Sequence, residues 1–391
     1  MSNYNMNDFG AVGDEKTINT EAIQRAIDTA SKNGGGRVIF ERGIYQTGSF
    51  ILKSNVELYL EHGCKISGSP DLNDYREMEG EGFAMDTIEP KKEITKHALI
   101  LASGAENISI RGYGEINGNG LAFYRDSRFD PKQNKFEKPD IPRPRIAMFY
   151  RCKNVSIENV SFVDSPCWTF WLMKCENVRI NGIRISGDKR MRNVDGIDID
   201  SCRDVIVNNC LMDTEDDCIS LRAFQNFYDT PAICENITIT NCIFNTSCNG
   251  IRIGCPSDGE IKNCIFSNLF IKGTNGIISQ HPKRYFYQGS KTLANIHDLI
   301  FNSIIIESKH IPIWLYIEDD IKIEKISDMV FSNIKIKKSN GPITIKGSRE
   351  TIIRNIVFDN VAIENPVENC FVITQSENIT FDRVSITSKK P

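Results

Sequence analysis

Short runs of alternating apolar and polar residues recur along this chain, and asparagine or glycine usually stands where they end. NVELYL (55–60) and ENISIRG (106–112) are early examples, and the pattern returns as NIHDLIF, ISDMVFSNI, IIRNIVFDNV and ENITFDRV. A period of two is the mark of a strand with one buried face. Four of the runs carry cysteine as their second residue: RCKNVSI (151–157), KCENVRI (174–180), SCRDVIV (201–207) and ICENITI (233–239). The gaps between Cys152, Cys175, Cys202 and Cys234 are 23, 27 and 32 residues. Cys210 and Cys242 follow Asn209 and Asn241, and Cys264 follows Asn263 in the same way.

Strands this short cannot bury a face alone. Stacking one coil on the next creates a continuous core and pairs every backbone group. The pattern therefore predicts an all-β, single-stranded parallel β-helix, with equivalent positions about 4.8 Å apart. Cysteines on such a ladder are small buried hydrophobes. Asparagines at the bends tolerate left-handed backbone and stack amide on amide. One segment has a different period: NTEAIQRAIDTASKNGGG (19–36) places Ala22, Ile23, Ala26 and Ile27 on a helical stripe. Asn19 or Thr20 can cap it and Gly34 ends it. A short N-terminal helix would cover the open end of the first coil. Segments 70–97 and 126–145 are polar, the second rich in proline, and read as loops. No linker divides the chain, so a single domain is expected over 1–391: cap and first coils to 70, loop-rich coils over 71–145, regular coils over 146–391.

Composition narrows the function. With 47 basic and 51 acidic residues, the formal charge is −4, which argues against a nucleic-acid surface. No apolar run reaches the roughly 18 residues of a membrane span. The N-terminus lacks a basic patch followed by an apolar stretch. The expected location is cytoplasmic, with a secreted mature form as the alternative. None of the 13 cysteines has zinc-ribbon spacing, and no metal or cofactor is expected.

The candidate chemistry lies in TEDDCIS (214–220), where Glu215, Asp216 and Asp217 stand side by side. Taking Asn154, Asn177, Asp204, Asn236 and Asp258 as the register mark of successive coils, Asp217 and Asn249 fall 13 residues past their marks. They should stack on adjacent coils. Asp195, in RNVDGIDIDS (192–201), reaches the same face from the coil before, with Asp198, Trp168 and Trp171 nearby. Carboxylates beside aromatics suit sugar rings. The plain alternative is a chain bend or a cation site, for which calcium fits oxygen ligands.

These segments resemble the polygalacturonase family of glycoside hydrolases over most of the chain. The likeness is carried by FGAVGD with the following helix, GGGRVIFERGIYQTGSF, RPR (143–145), SPCW (165–168), NVDG (193–196) and EDDC (215–218). It implies a right-handed parallel β-helix of the pectin-lyase type, and a pectic oligosaccharide or polysaccharide as substrate. It places three catalytic aspartates on Asp195, Asp216 and Asp217. It also implies inversion, with Asp216 or Asp217 protonating the leaving oxygen and the others holding water; Asp217 is the preferred acid. Crowding raises the pKa of one carboxyl and keeps it protonated.

Two departures stand out. The family's Gly-His-Gly reads Cys-Asn-Gly here (248–250), so its histidine is Asn249. Its Arg-Ile-Lys falls near IISQ (277–280), so its cations become Ile278 and Gln280. The candidate substrate-binding residues are therefore Asn193, Asn249, Arg222, Arg252, His281, Lys283, Arg284 and Trp168. His281 is the candidate replacement for the missing histidine, with a solvated loop position as its alternative. The long loops suggest exo action on galacturonan or rhamnogalacturonan. A non-catalytic carbohydrate-binding β-helix and a lyase or glycosidase of another polysaccharide are the competing readings.

Overall fold

In the computed structural model the alternating segments form parallel strands stacked coil on coil. Residues 2–82, 95–254, 256–283, 292–364 and 366–387 are described. They belong to two compact units, the first made of 2–81, 95–197 and 208–216, the second of 82, 198–207 and the described residues from 217 onward.

The first unit carries three rows of strands. Gly36–Phe40, Val56–Leu60, Glu106–Gly112, Lys153–Glu158 and Glu176–Asn181 pair in that order. Gly43–Thr47, Cys64–Gly68, Glu115–Asn117, Ser161–Val163, Arg184–Ser186 and Leu211–Thr214 form a second row. Phe50–Ile51, His97–Ser103, Arg145–Tyr150 and Phe170–Met173 form the third. In-phase register puts Leu58, Ile110, Ile157 and Ile180 on one buried line. That line is the unit of sheet stabilisation, repeated from coil to coil.

The single α-helix among the described residues, Thr20–Lys32, belongs to this unit and buries Ala22, Ile23, Ala26, Ile27 and Ala30. Asn19 is its N-cap residue, but its side chain ties the entering chain instead, accepting from Val12 N at 2.7 Å and donating to Thr17 O at 2.7 Å. Gly34 and Gly35 have φ of +88° and +118°, which turns the chain from helix to strand.

In the second unit two rows merge into long strands: Glu260–Gly273, Asn295–Ser308, Lys325–Lys338 and Ile353–Glu364. Phe266, Phe301, Phe331, Phe358 and Phe381 stack with centroids 4.9, 4.7, 5.1 and 5.3 Å apart and nearly parallel planes. The other row is Ile219–Arg222, Asn249–Ile253, Asn275–His281, Ile313–Ile317, Ile343–Lys346 and Phe371–Thr374.

The corners follow the asparagine pattern. Asn55, Asn107, Asn154 and Asn177 all have φ of 54–63°, and each amide donates to the one before at 2.9, 2.9 and 2.7 Å. In the second unit Asn236 donates to Asp204 at 2.9 Å and Asn378 to Asn355 at 2.7 Å. One register mark is corrected. The partner of Asn236 is Asn263, while Asp258 lies just ahead of the strand Glu260–Gly273 and accepts from Gln225 N at 2.7 Å. The cause is coil length, which the sequence spacing alone does not fix. Likewise Cys264 pairs with Ile237 rather than continuing the Cys242 line.

Every cysteine among the described residues is a free thiol, and all but Cys248 and Cys370 are buried. The expected loops hold more structure than their composition suggests. Phe129–Asp130 and Lys135–Phe136 form a small antiparallel hairpin inside 126–145, and Arg76–Glu77 runs antiparallel to His97–Ser103.

Candidate active site

In the first unit Asn193 holds a left-handed corner, with φ of 59°. Its amide nitrogen donates to Asp216 Oδ2 at 3.3 Å, and its oxygen accepts from Arg143 Nη2 at 3.1 Å. Arg143 is fully buried, and its other terminal nitrogen donates to the Tyr124 hydroxyl at 2.7 Å and to the carbonyls of Pro166 and Arg192. A buried guanidinium ringed by oxygen acceptors fixes Asn193 and, through it, Asp216. Asp195 is 2% exposed, and its backbone oxygen accepts from both the amide and the hydroxyl of Thr169. The backbone amides of Glu215 and Asp216 both donate to Val194 O at 3.2 Å. This ties the acidic run to the coil carrying Asp195.

Glu215 is buried against Lys135, which donates to it from the hairpin. Burial, and secondarily the charge of Asp216, push its carboxyl above the ordinary glutamate range, while Lys135 opposes the shift. Trp168, expected to offer a face to sugar, is instead 7% exposed. Its ring meets Trp171 edge-on at 5.4 Å, and the Arg145 guanidinium lies 4.6 Å from its centroid. The Arg143–Arg145 segment thus serves as a buried scaffold, and Trp168 packs within it. The loop segments 70–73 and 122–141 line an open cleft of about 820 Å³, with Leu72, Phe123, Arg125, Arg128 and Lys138 among its walls.

In the second unit Asp217 is 1% exposed. Its Oδ1 accepts from Asn249 Nδ2 at 2.5 Å, and its Oδ2 accepts from Arg252 Nη1 at 3.3 Å. The Cys218 amide also donates to the Asn249 backbone oxygen at 3.0 Å. The expected stacking of Asp217 and Asn249 is therefore present. Asn249 is itself oriented: its Oδ1 accepts from Asn275 Nδ2 at 2.8 Å, and Asn275 Oδ1 accepts from Ile311 N at 3.2 Å. Fixing one end of the amide fixes which end faces Asp217.

Arg222 lies on the outward side of its strand, beyond Ser220, but its Nε donates to Asp198 Oδ1 at 2.9 Å and both residues are buried. It belongs to an ion pair inside the sheet face. His281 is corrected more sharply. It lies on the strand Asn275–His281, in line with Ile277 and Ser279, and opposite the buried Ile313, Leu315 and Ile317. Its ring therefore points into the coil interior and is no solvated loop side chain. Burial, with Arg252 adding, drops its pKa to about 3, so it stays neutral. Lys283 is exposed, its backbone amide donating to Glu318 Oε2 at 2.7 Å. Arg284 lies outside the described residues.

Lys135 and Asn275 were not singled out from sequence, and Arg143 stood there only within RPR (143–145), with no role given to it. Asn275 left a signal as the residue one coil beyond Asn249.

Comparison with known proteins gives the family and the fold. Residues 76–350 match the family described as Glycosyl hydrolases family 28. The chain belongs to that family, and its coils are those of a right-handed parallel β-helix. It is 26% identical over 387 residues to the probable polygalacturonase At3g15720 of Arabidopsis thaliana, covering 94% of this chain and 75% of that one. It is 29% identical over 228 residues to a probable polygalacturonase of Vitis vinifera, covering 56% of this chain and 44% of that protein. Among solved structures, an exopolygalacturonase from Thermotoga maritima superposes with a TM-score of 0.77 at 22% identity, over 98% of this chain and 91% of that one. At that identity the likeness speaks for the fold.

Proposed function

We propose that the chain is an inverting, exo-acting hydrolase of pectic saccharides, of galacturonan or rhamnogalacturonan type, with Asp195, Asp216 and Asp217 as its catalytic residues. The observation that carries this is the setting of Asp217, which accepts from an amide and a guanidinium in a family 28 chain. Both partners are donors, so they match a carboxylate; a protonated Asp217 would set an O–H against an N–H. That supports Asp217 as a base that activates water. The leaving-group acid then moves to Asp216, the reverse of the preference drawn from sequence. The exo reading draws support from the loop-lined cleft at 70–73 and 122–141.

The test is incubation with galacturonan and rhamnogalacturonan fragments, followed by mass spectrometry and anomeric NMR of the products. Short products with new reducing ends and inverted configuration are expected. Asp217→Asn should lower kcat about 10³-fold while the coil fold is retained. An unsaturated, ultraviolet-absorbing product, or no cleavage of any fragment, would overturn the proposal.

A further inference from the structure

With Ile278 and Gln280 at the positions that the resemblance gives to the family's cations, and Arg252 engaged by Asp217, other groups on this face are the ones to ask about for an acidic sugar. This inference rests on the pectic reading above. We propose that Trp314, Tyr316 and Lys346 form a binding platform for a uronate residue of the substrate.

Strand pairing places these side chains. Arg252, Ile278, Trp314 and Thr344 stand in one register row on successive strands, and Gln280, Tyr316 and Lys346 in the next. Ile313, Leu315 and Ile317 are buried in the coil, so the alternating Trp314 and Tyr316 project from the opposite face. Both are half-buried, as is Gln280 beside them. The two rings lie 5.5 Å apart at 43°. Lys346 Nζ stands 5.7 Å from the Tyr316 centroid. Its other neighbour is Asp319, at 3.5 Å, with side chains 34% and 50% exposed. Such a pair is loose and exchanges readily for a ligand carboxylate.

The chemistry selects the ligand. Two tilted aromatic rings accept the C–H face of a pyranose, and the ammonium at their edge supplies a counter-charge to a carboxylate on that ring. Trp314 lies two strands from Arg252, roughly 10 Å along the stack. A saccharide running from Asp217 along the stack, across the strands, meets the platform within a short oligomer's length.

Binding can be read on the Asp217→Asn protein, where turnover is suppressed, using the linear trimer of galacturonic acid and the trimer of galactose. The chain has three tryptophans, and Trp168 and Trp171 are buried at 7% and 0% exposure, so acrylamide quenching falls mainly on Trp314. The galacturonate trimer should shield it. Lys346→Met should weaken the galacturonate trimer about fivefold and leave the galactose trimer unchanged. Trp314→Ala should weaken both about tenfold. In the enzyme with Asp217 intact, both changes should raise KM and hold kcat within about twofold. Should Trp314→Ala fail to fold, the half-exposed Lys346→Met keeps the test.

Unchanged affinity and KM for the uronate in these variants would overturn the platform while the hydrolase reading stands, provided pectic fragments are cleaved. Shielding of Trp314 without cleavage of any fragment would do the reverse.

Discussion

Asn193 and Asp216, in the first unit, are held by Arg143, which comes from the end of the long polar segment 126–145. Asp217, in the second, is held by Asn249, and Asn249 by Asn275, two residues at one register position on paired strands. One carboxylate depends on a side chain from outside the regular coils, the other on the repeat itself. The difference teaches how a stacked fold can build polar machinery. A register position supplies short amides at the strand spacing without added chain. A cation that must satisfy several carbonyls at once needs an excursion long enough to bury it.

The sharpest way to break this comparison is Arg143→Met. It strips the Tyr124 hydroxyl, two carbonyls and Asn193 of a shared donor, and should cost about 3 kcal/mol, read from urea midpoints. A loss below about 1 kcal/mol would mean that the excursion does not anchor the first unit.

Acidification probes the second unit. The unfolded histidine titrates near 6.5, whereas buried His281 holds its folded pKa at about 3. Between those values the unfolded chain binds the extra proton, so stability is full above about 6.5 and falls by about 1.4 kcal/mol per pH unit on the way down. His281→Leu should flatten that slope in pH-dependent unfolding. An unaltered slope would mean that the ring is hydrated and free to charge in the folded state.

The smallest effect tests the amide relay. Asn275→Ala frees Asn249 to flip its amide, and should lower kcat about tenfold with little change in KM. Equal losses in both constants would point to a general disturbance of the strand instead.

Much of the fold was legible because it repeats. Corner asparagines, alternating Ile and Val, and the helical stripe at 22–27 each report a local rule, and each recurs in the structure. The Asp217–Asn249 contact followed from counting along that repeat. What escaped was set by tertiary context. Coil length moved the register mark from Asp258 to Asn263. Burial turned Trp168 and His281 inward, although an aromatic or imidazole side chain reads the same in a sequence whether it faces solvent or core. The Lys135–Glu215 pair joins residues 80 positions apart, with no periodicity to announce it.

The left-handed asparagine corners have a last implication for change over generations. Each turn is made by its own residue and tied by one amide to its neighbour on the stack. Extra chain can then enter between two turns without disturbing the turns themselves. Specificity can drift through such inserts while the spine keeps its geometry, which makes the spaces between corners the natural place to graft new sugar preferences.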